Sequence, residues 1–122
     1  MHMQSKFREG NLVAVIHTAF EETPRTVAFV DVGDREGTEA LEYAYMRTNN
    51  IQGSWSRGVT IKWDGKEMPN EDYSEDVTVM AELPVSKRTG EVMGLRSTSM
   101  NDQMLLGNKK YRVAAFGFKE IV

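Results

Sequence analysis

Cysteine is missing from this chain, so a disulfide framework and all thiolate chemistry are excluded, both as nucleophile and as metal ligand. Histidine is nearly missing too. His2 and His17 are the whole supply, too few for a His-rich metal site, and His2 in the Met1-His2-Met3 opening carries no functional weight. No apolar run approaches the roughly 20 residues that span a bilayer, and no apolar signal core follows the first charges. These absences predict a cytoplasmic protein with no membrane partner. With a net charge of -3 and acids and bases interspersed, the chain lacks the cationic excess of a duplex nucleic-acid binder. It also lacks the dense acidic face of a DNA mimic, since its one acidic concentration runs from Glu67 to Asp76.

What is present belongs to a folded domain. At 122 residues, 40% hydrophobic and 27% charged with 3 prolines, the chain has material for one core, and residues 1–122 are expected to form a single domain. Leu12-Val13-Ala14-Val15-Ile16 and Thr26-Val27-Ala28-Phe29-Val30-Asp31-Val32 are β-branched runs separated by the turn material Glu21-Glu22-Thr23-Pro24. They predict an opening antiparallel hairpin.

The stretch from about Arg35 to Asn49 is the one helix, because Leu41, Ala44, Tyr45 and Thr48 recur at helical spacing. Glu36, Glu39 and Glu42 lie toward its start and Arg47 near its end, the order a helix dipole favours. Asn49 and Asn50 are suited to stop it. On this helix Tyr45 is the expected core residue, leaving Tyr43 exposed or at an interface.

Residues 51–76 are broken by Gly53, Gly58, Gly65 and Pro69. Val59 to Trp63 is a candidate edge strand with Asp64-Gly65 as its turn, Trp63 is expected in the core, and mobility is expected between Lys66 and Glu75. The acidic cluster is expected to be a solvated loop. Val77 to Ala81 is a further strand, and Lys87 to Gly90 a turn. Gln103 to Leu106, Gly107-Asn108 and Lys110 to Phe116 spell a tight hairpin, with Phe118, Ile121 and Val122 as an apolar end that docks on the core. The order β-β-α, then an irregular segment, then three or so strands, predicts an α+β fold with one principal helix on a mostly antiparallel sheet.

Two polar clusters carry the candidate chemistry. Arg96-Ser97-Thr98-Ser99, with Asp102, joins a planar cation to three hydroxyls, a set suited to phosphate or carboxylate. The same residues also suit a turn closed by local side chain to backbone bonds, and the sequence leaves both readings open. Thr48 and Asn50 at the helix end, then Trp55 and Arg57, form the second cluster. There Trp55 either stacks on a flat ring or caps the core. A Ser-His-Asp set from Ser97 or Ser99, His17 and Asp102 lacks the glycine pattern of a nucleophile elbow, so catalysis is not expected.

The combination of Leu41-Glu42-Tyr43-Ala44-Tyr45, Thr48-Asn49-Asn50, Gly53-Ser54-Trp55-Ser56, Arg96-Ser97-Thr98-Ser99 with Asp102, and Tyr111-Arg112-Val113-Ala114 with Gly117-Phe118 resembles small proteins of bacteriophages and prophages. The similarity runs from about residue 36 to the C-terminus. The closing Arg-Ser-x-Ser-x-x-Asp segment, hairpin and Gly-Phe end are also similar to YodL-like domains found with antirestriction proteins. Within the phage set the chain resembles the Thoeris anti-defence family of signal sponges. That resemblance implies a homo-oligomer that sequesters a cyclic ADP-ribose-type signal without cleaving it and needs no cofactor. Chemistry then nominates Arg96 or Arg57 for the pyrophosphate, Trp55 or Tyr43 for adenine, and Ser97, Thr98, Ser99, Asp102, Thr48 or Asn50 for the remaining polar contacts. The competing expectation is a phage inhibitor that binds a host defence protein, a CRISPR or restriction component, through the exposed helix and residues 51–76.

Overall fold

Strands form where β-branched residues cluster, and the computed structural model, which describes residues 11–121, places eight of them around one helix. Val122 and His2 lie outside the described residues, and of Trp63 only the backbone is described. β1 (Leu12–His17) and β2 (Arg25–Asp31) pair antiparallel as the opening hairpin. Helix α1 (Gly37–Arg47) follows. Next come β3 (Thr60–Trp63), β4 (Lys66–Pro69), β5 (Val77–Val79), β6 (Gln103–Leu106), β7 (Lys109–Val113) and β8 (Phe118–Ile121). The fold is α+β, with a six-stranded antiparallel sheet in the order β5-β2-β1-β6-β7-β8 and a separate β3-β4 hairpin.

Alternation sorts the sheet into two faces. Val13, Val15, Met104 and Val113 are buried on one face with Leu41, Ala44, Trp55 and Leu95. Between Val15 and Ile16 the β1–β2 register shifts so that Val27 is passed over without a partner. That buried residue marks a β-bulge. The Gly107-Asn108 hairpin turn forms where expected, with Gly107 at φ 63°. At the tip of β3–β4, Asp64 and Gly65 both have positive φ, the geometry of the two-residue turn that suits a twisted hairpin.

Several expectations are corrected. Six strands follow the helix, in keeping with the three or more expected, while residues 66–69, expected to be mobile, form a strand paired with β3. The helix begins two residues later than expected, after an extended Glu36. Tyr43, expected outside, is buried, and Tyr45 is half-buried edge-on to Phe118. The reason is long-range. Asp76 accepts the Tyr43 hydroxyl, and the guanidinium of Arg35 lies 3.7 Å from the centre of the Tyr43 ring.

The acidic cluster, expected to be solvated, contains two working carboxylates. Besides Asp76, Asp72 Oδ2 accepts the backbone N–H groups of Ile51, Gln52 and Gly53 at 2.6, 2.9 and 2.8 Å. Asn70, buried just before it, accepts Ser54 N and donates to the carbonyls of Ser54 and Gly58. These bonds replace the ladder that an irregular loop lacks. Gly94 passes against the same loop so closely that a Cβ there would lie 2.1 Å from Ser54 Oγ. Gly94→Ala is expected to destabilise the protein by about 1–3 kcal/mol through overpacking. Thermal denaturation of Gly94→Ala checks this, and an unchanged melting temperature contradicts the close packing.

Candidate functional site

The tight turn at 99–102 is where the first polar cluster acts. Asp102 N donates to Ser99 O at 3.0 Å, and Ser99 N donates back to Asp102 Oδ2 at 2.7 Å. The Asp102 side chain is fully buried. Its Oδ1 accepts Thr18 N at 2.8 Å and Ala19 N at 2.9 Å, which fixes the loop after β1. Arg96 completes the carboxylate with Nη1 on Oδ2 at 2.7 Å and Nη2 on Oδ1 at 3.0 Å, a bidentate pair.

Arg96 has no N–H left for a ligand. Its remaining donors go to Ser97 O at 3.0 Å, Ala19 O at 2.5 Å and Glu21 Oε2 at 3.3 Å. All five N–H groups of the guanidinium therefore have protein acceptors. Burial pushes the Asp102 carboxyl upward, but the Arg96 bond and the amides of Ser99, Ala19 and Thr18 outweigh it and hold the group below its ordinary value. The same bond to Asp102 raises the Arg96 guanidinium further against a smaller desolvation effect.

A hydroxyl relay links this turn to the helix. Thr98 Oγ1 donates to Thr48 Oγ1 at 2.8 Å, and Thr48 Oγ1 donates to Ala44 O at 2.8 Å. With the Thr98 proton assigned to Thr48, His17 Nε2, 3.0 Å from Thr98 Oγ1, is assigned as the donor. That assignment corresponds to the Nε2–H tautomer. His17 Nδ1 is then a bare lone pair, buried and without a partner among the described residues. Desolvation lowers the His17 pKa from 6.5 to about 4, against an opposing pull from Asp102, whose Oδ2 is 3.9 Å from Nε2.

The second cluster folds onto the first. Ser97 Oγ accepts Asn50 N at 2.8 Å, Asn50 Nδ2 donates to Leu95 O at 3.0 Å, and Asn50 Oδ1 accepts Trp55 N at 2.9 Å. Trp55 is 1% exposed, edge-on to His17, and its indole N–H donates to Arg96 O at 2.9 Å. So the structure brings Thr48, Asn50, Trp55, Arg96, Ser97, Thr98, Ser99 and Asp102 together as an internal joint. The turn reading of Ser99 and Asp102 and the core reading of Trp55 describe this geometry. Tyr43 lies apart, packed between Arg35 and Arg47.

Of the nominated residues, Arg57 lines an open cavity beside the β3–β4 hairpin. That cavity, about 560 Å³, is bounded by Gln52, Gly53, Ser54 and Arg57 from the loop after the helix, by Ile61, Lys62, Met68 and Pro69 from the β3–β4 hairpin, and by Glu71. Ile61 and Met68 are register partners and form an apolar wall. The charged residues along its lining are Arg57, Lys62 and Glu71. Sequence reasoning missed Lys62, Ile61 and Met68 as one surface. The signal was the Asp64-Gly65 turn, which implies that Lys66 to Pro69 returns alongside Thr60 to Trp63. A smaller cavity of about 240 Å³ lies between Glu42 and Tyr45 of the helix and the β7–β8 turn. Among the described residues, no group of three or more His, Asp or Glu side chains is arranged to hold a metal ion, and no helix is long and apolar enough to cross a membrane. A scan against protein-family models finds no match, and searches of curated proteins and of solved structures find none.

Two outcomes follow from the joint. Arg96→Ala strands a buried carboxylate and is expected to cost about 3–5 kcal/mol in denaturant unfolding, with Arg96→Lys unable to restore the bidentate fork. A loss below 1 kcal/mol contradicts the assignment. The second concerns pH. An unfolded chain protonates His17 near 6.5 whereas the native chain does so near 4, so the unfolded state binds more protons between these values. Stability is expected to be fully present above about 6.5 and to fall as pH drops toward 4; His17→Gln should flatten that slope in melting temperatures measured across the range.

Proposed function

We propose that this protein is a non-catalytic binding protein for a small anionic, nucleotide-derived ligand of the cyclic ADP-ribose type. It holds the ligand intact in the cavity between the 52–57 loop and the β3–β4 hairpin, in the host cytoplasm, as a phage counter-defence sponge. One observation carries the proposal: Arg57 and Lys62 share an open cavity of about 560 Å³ with the apolar wall of Ile61 and Met68. That volume is in the range of small-molecule sites, and the mixture fits a ligand with a charged pyrophosphate and a flat base. Of the charged residues along its lining, Arg57 and Lys62 are basic and Glu71 is acidic, a balance that favours an anion. Pre-organisation supports the same reading. Asp72 and Asn70 tie the 51–54 backbone to the segment after β4, so the walls need little ordering on binding.

The proposal moves the anion contact from Arg96, whose donors are spent, to Arg57. Isothermal titration with cyclic ADP-ribose isomers is expected to show saturable binding, and heat denaturation of the complex should release unmodified ligand. Arg57→Ala is expected to weaken binding about 10- to 100-fold, the worth of a hydrogen bond to a charged group, without lowering the melting temperature. Absence of binding by the wild-type protein, or recovery of degraded ligand, overturns the proposal.

A further inference from the structure

The six-stranded sheet has a second face that the core does not use. Reading across the register, one row is Thr26, Ile16, Gln103, Arg112 and Lys119. The next row is Thr78, Phe29, Ala14, Leu105, Lys110 and Ile121, and Leu12 stands opposite Asp31 beyond it. Ala14 is buried, but none of the apolar residues in these rows belongs to the cluster built on the opposite face with α1, Trp55 and Leu95. Leu105 and Ile121 are 36% and 37% exposed, and Leu12, Ile16 and Phe29 are half-buried. No described element packs on this face as α1 packs on the other.

The face is divided by charge. Its β2-β1-β6 part is apolar, with Phe29, Leu12, Ala14, Ile16 and Leu105. Its β7-β8 part carries Lys110, Arg112 and Lys119, none of which has an ion-pair partner among the described residues. Arg112 and Lys119 stand directly opposite each other, a like-charge pair that weakens a sheet unless something neutralises it. Among the described residues of these rows the one carboxylate, Asp31, sits at the far corner and accepts Gly33 N. In a chain of net charge -3 this is a local segregation of cations.

We propose that this face docks an acidic amphipathic helix of a partner protein. The dimensions suit it. Neighbouring strands are about 4.8 Å apart, so β2 to β6 spans roughly 10 Å, the width of one helix with its side chains. A helix lying over the apolar strands brings the flank of its polar side above β7 and β8, where carboxylates meet Lys110, Arg112 and Lys119. A second copy of the same face is disfavoured because cations would meet cations. A single nucleic-acid strand is disfavoured because Phe29 is the one aromatic ring in these rows and the rest of the apolar surface is aliphatic, giving bases little to stack on. The inference is independent of nucleotide binding at Arg57, which lines the cavity beside the separate β3–β4 hairpin.

Three probes decide it by fluorescence anisotropy: an 18-residue helical peptide with a leucine stripe and glutamates elsewhere, the same peptide with lysine for glutamate, and a 15-nucleotide oligo-dT. The acidic peptide is expected to bind saturably and more weakly as salt rises, with neither of the other probes competing. The double variant Lys110→Glu/Lys119→Glu is expected to lose at least tenfold in affinity. Leu105→Ser, which keeps every charge, is expected to lose affinity as well, and both variants should retain the wild-type melting temperature and the wild-type response to cyclic ADP-ribose. Equal binding of both peptides, binding of oligo-dT in their place, absence of binding, or undiminished binding by the variants overturns the proposal. Loss of nucleotide binding in Arg57→Ala with peptide binding intact leaves it standing.

Discussion

A single buried carboxylate holds the middle of this molecule together. Taking Asp102 out of water costs several kcal/mol, and the cost is offset only because five donors from two stretches of chain, 18–19 and 96–99, converge on it. Two of those donors are backbone amides of the β1–β2 loop, one belongs to the turn before β6, and two come from Arg96. Each donor is committed by the others. Placing Asp102 orients Arg96, whose carbonyl receives the Trp55 indole, and closes the turn that seats Thr98 between His17 and Thr48. The helix end, the Trp55 loop and the first strand are thereby joined around one charge.

The same device recurs beside the cavity. Asp72 collects three consecutive amides of residues 51–53, and Asn70 bridges Ser54 to Gly58, so a glycine-broken loop gains fixed geometry from two side chains. This matters for function because the loop is one wall of the cavity and the β3–β4 hairpin is the other. Arg57 follows the buried Trp55 and Ser56 directly and lines the cavity, so internal order and the cavity wall are adjacent in the chain. Cations divide accordingly. Arg96 is consumed by the fold, whereas Lys62, Lys110 and Lys119 are exposed and Arg57 lines the cavity.

Elements built by local pattern were legible in the sequence. β1, β2, the helix and the Gly107-Asn108 hairpin follow from β-branched runs, helical spacing and turn chemistry, each of which acts within a few residues. Elements decided by distant partners were not. Whether Tyr43 or Tyr45 goes inside depends on Asp76, 33 residues away from Tyr43. Whether Asp72 is solvated depends on amides about 20 residues upstream. The candidate site divides in the same way: the two polar clusters do meet, but residue type cannot reveal that the donors of Arg96 are all satisfied within the chain. His17 left no signal, since a lone histidine at a strand end gains its role only from Thr98 and Asp102.

Amide hydrogen exchange of the wild-type protein tests the central claim most directly. If the Asp102 carboxylate is the joint, the amides of Thr18, Ala19 and Ser99 and the Trp55 indole N–H exchange together, at the rate of global unfolding. Rapid, independent exchange at Thr18 and Ala19, with the β-sheet core still protected, would contradict it.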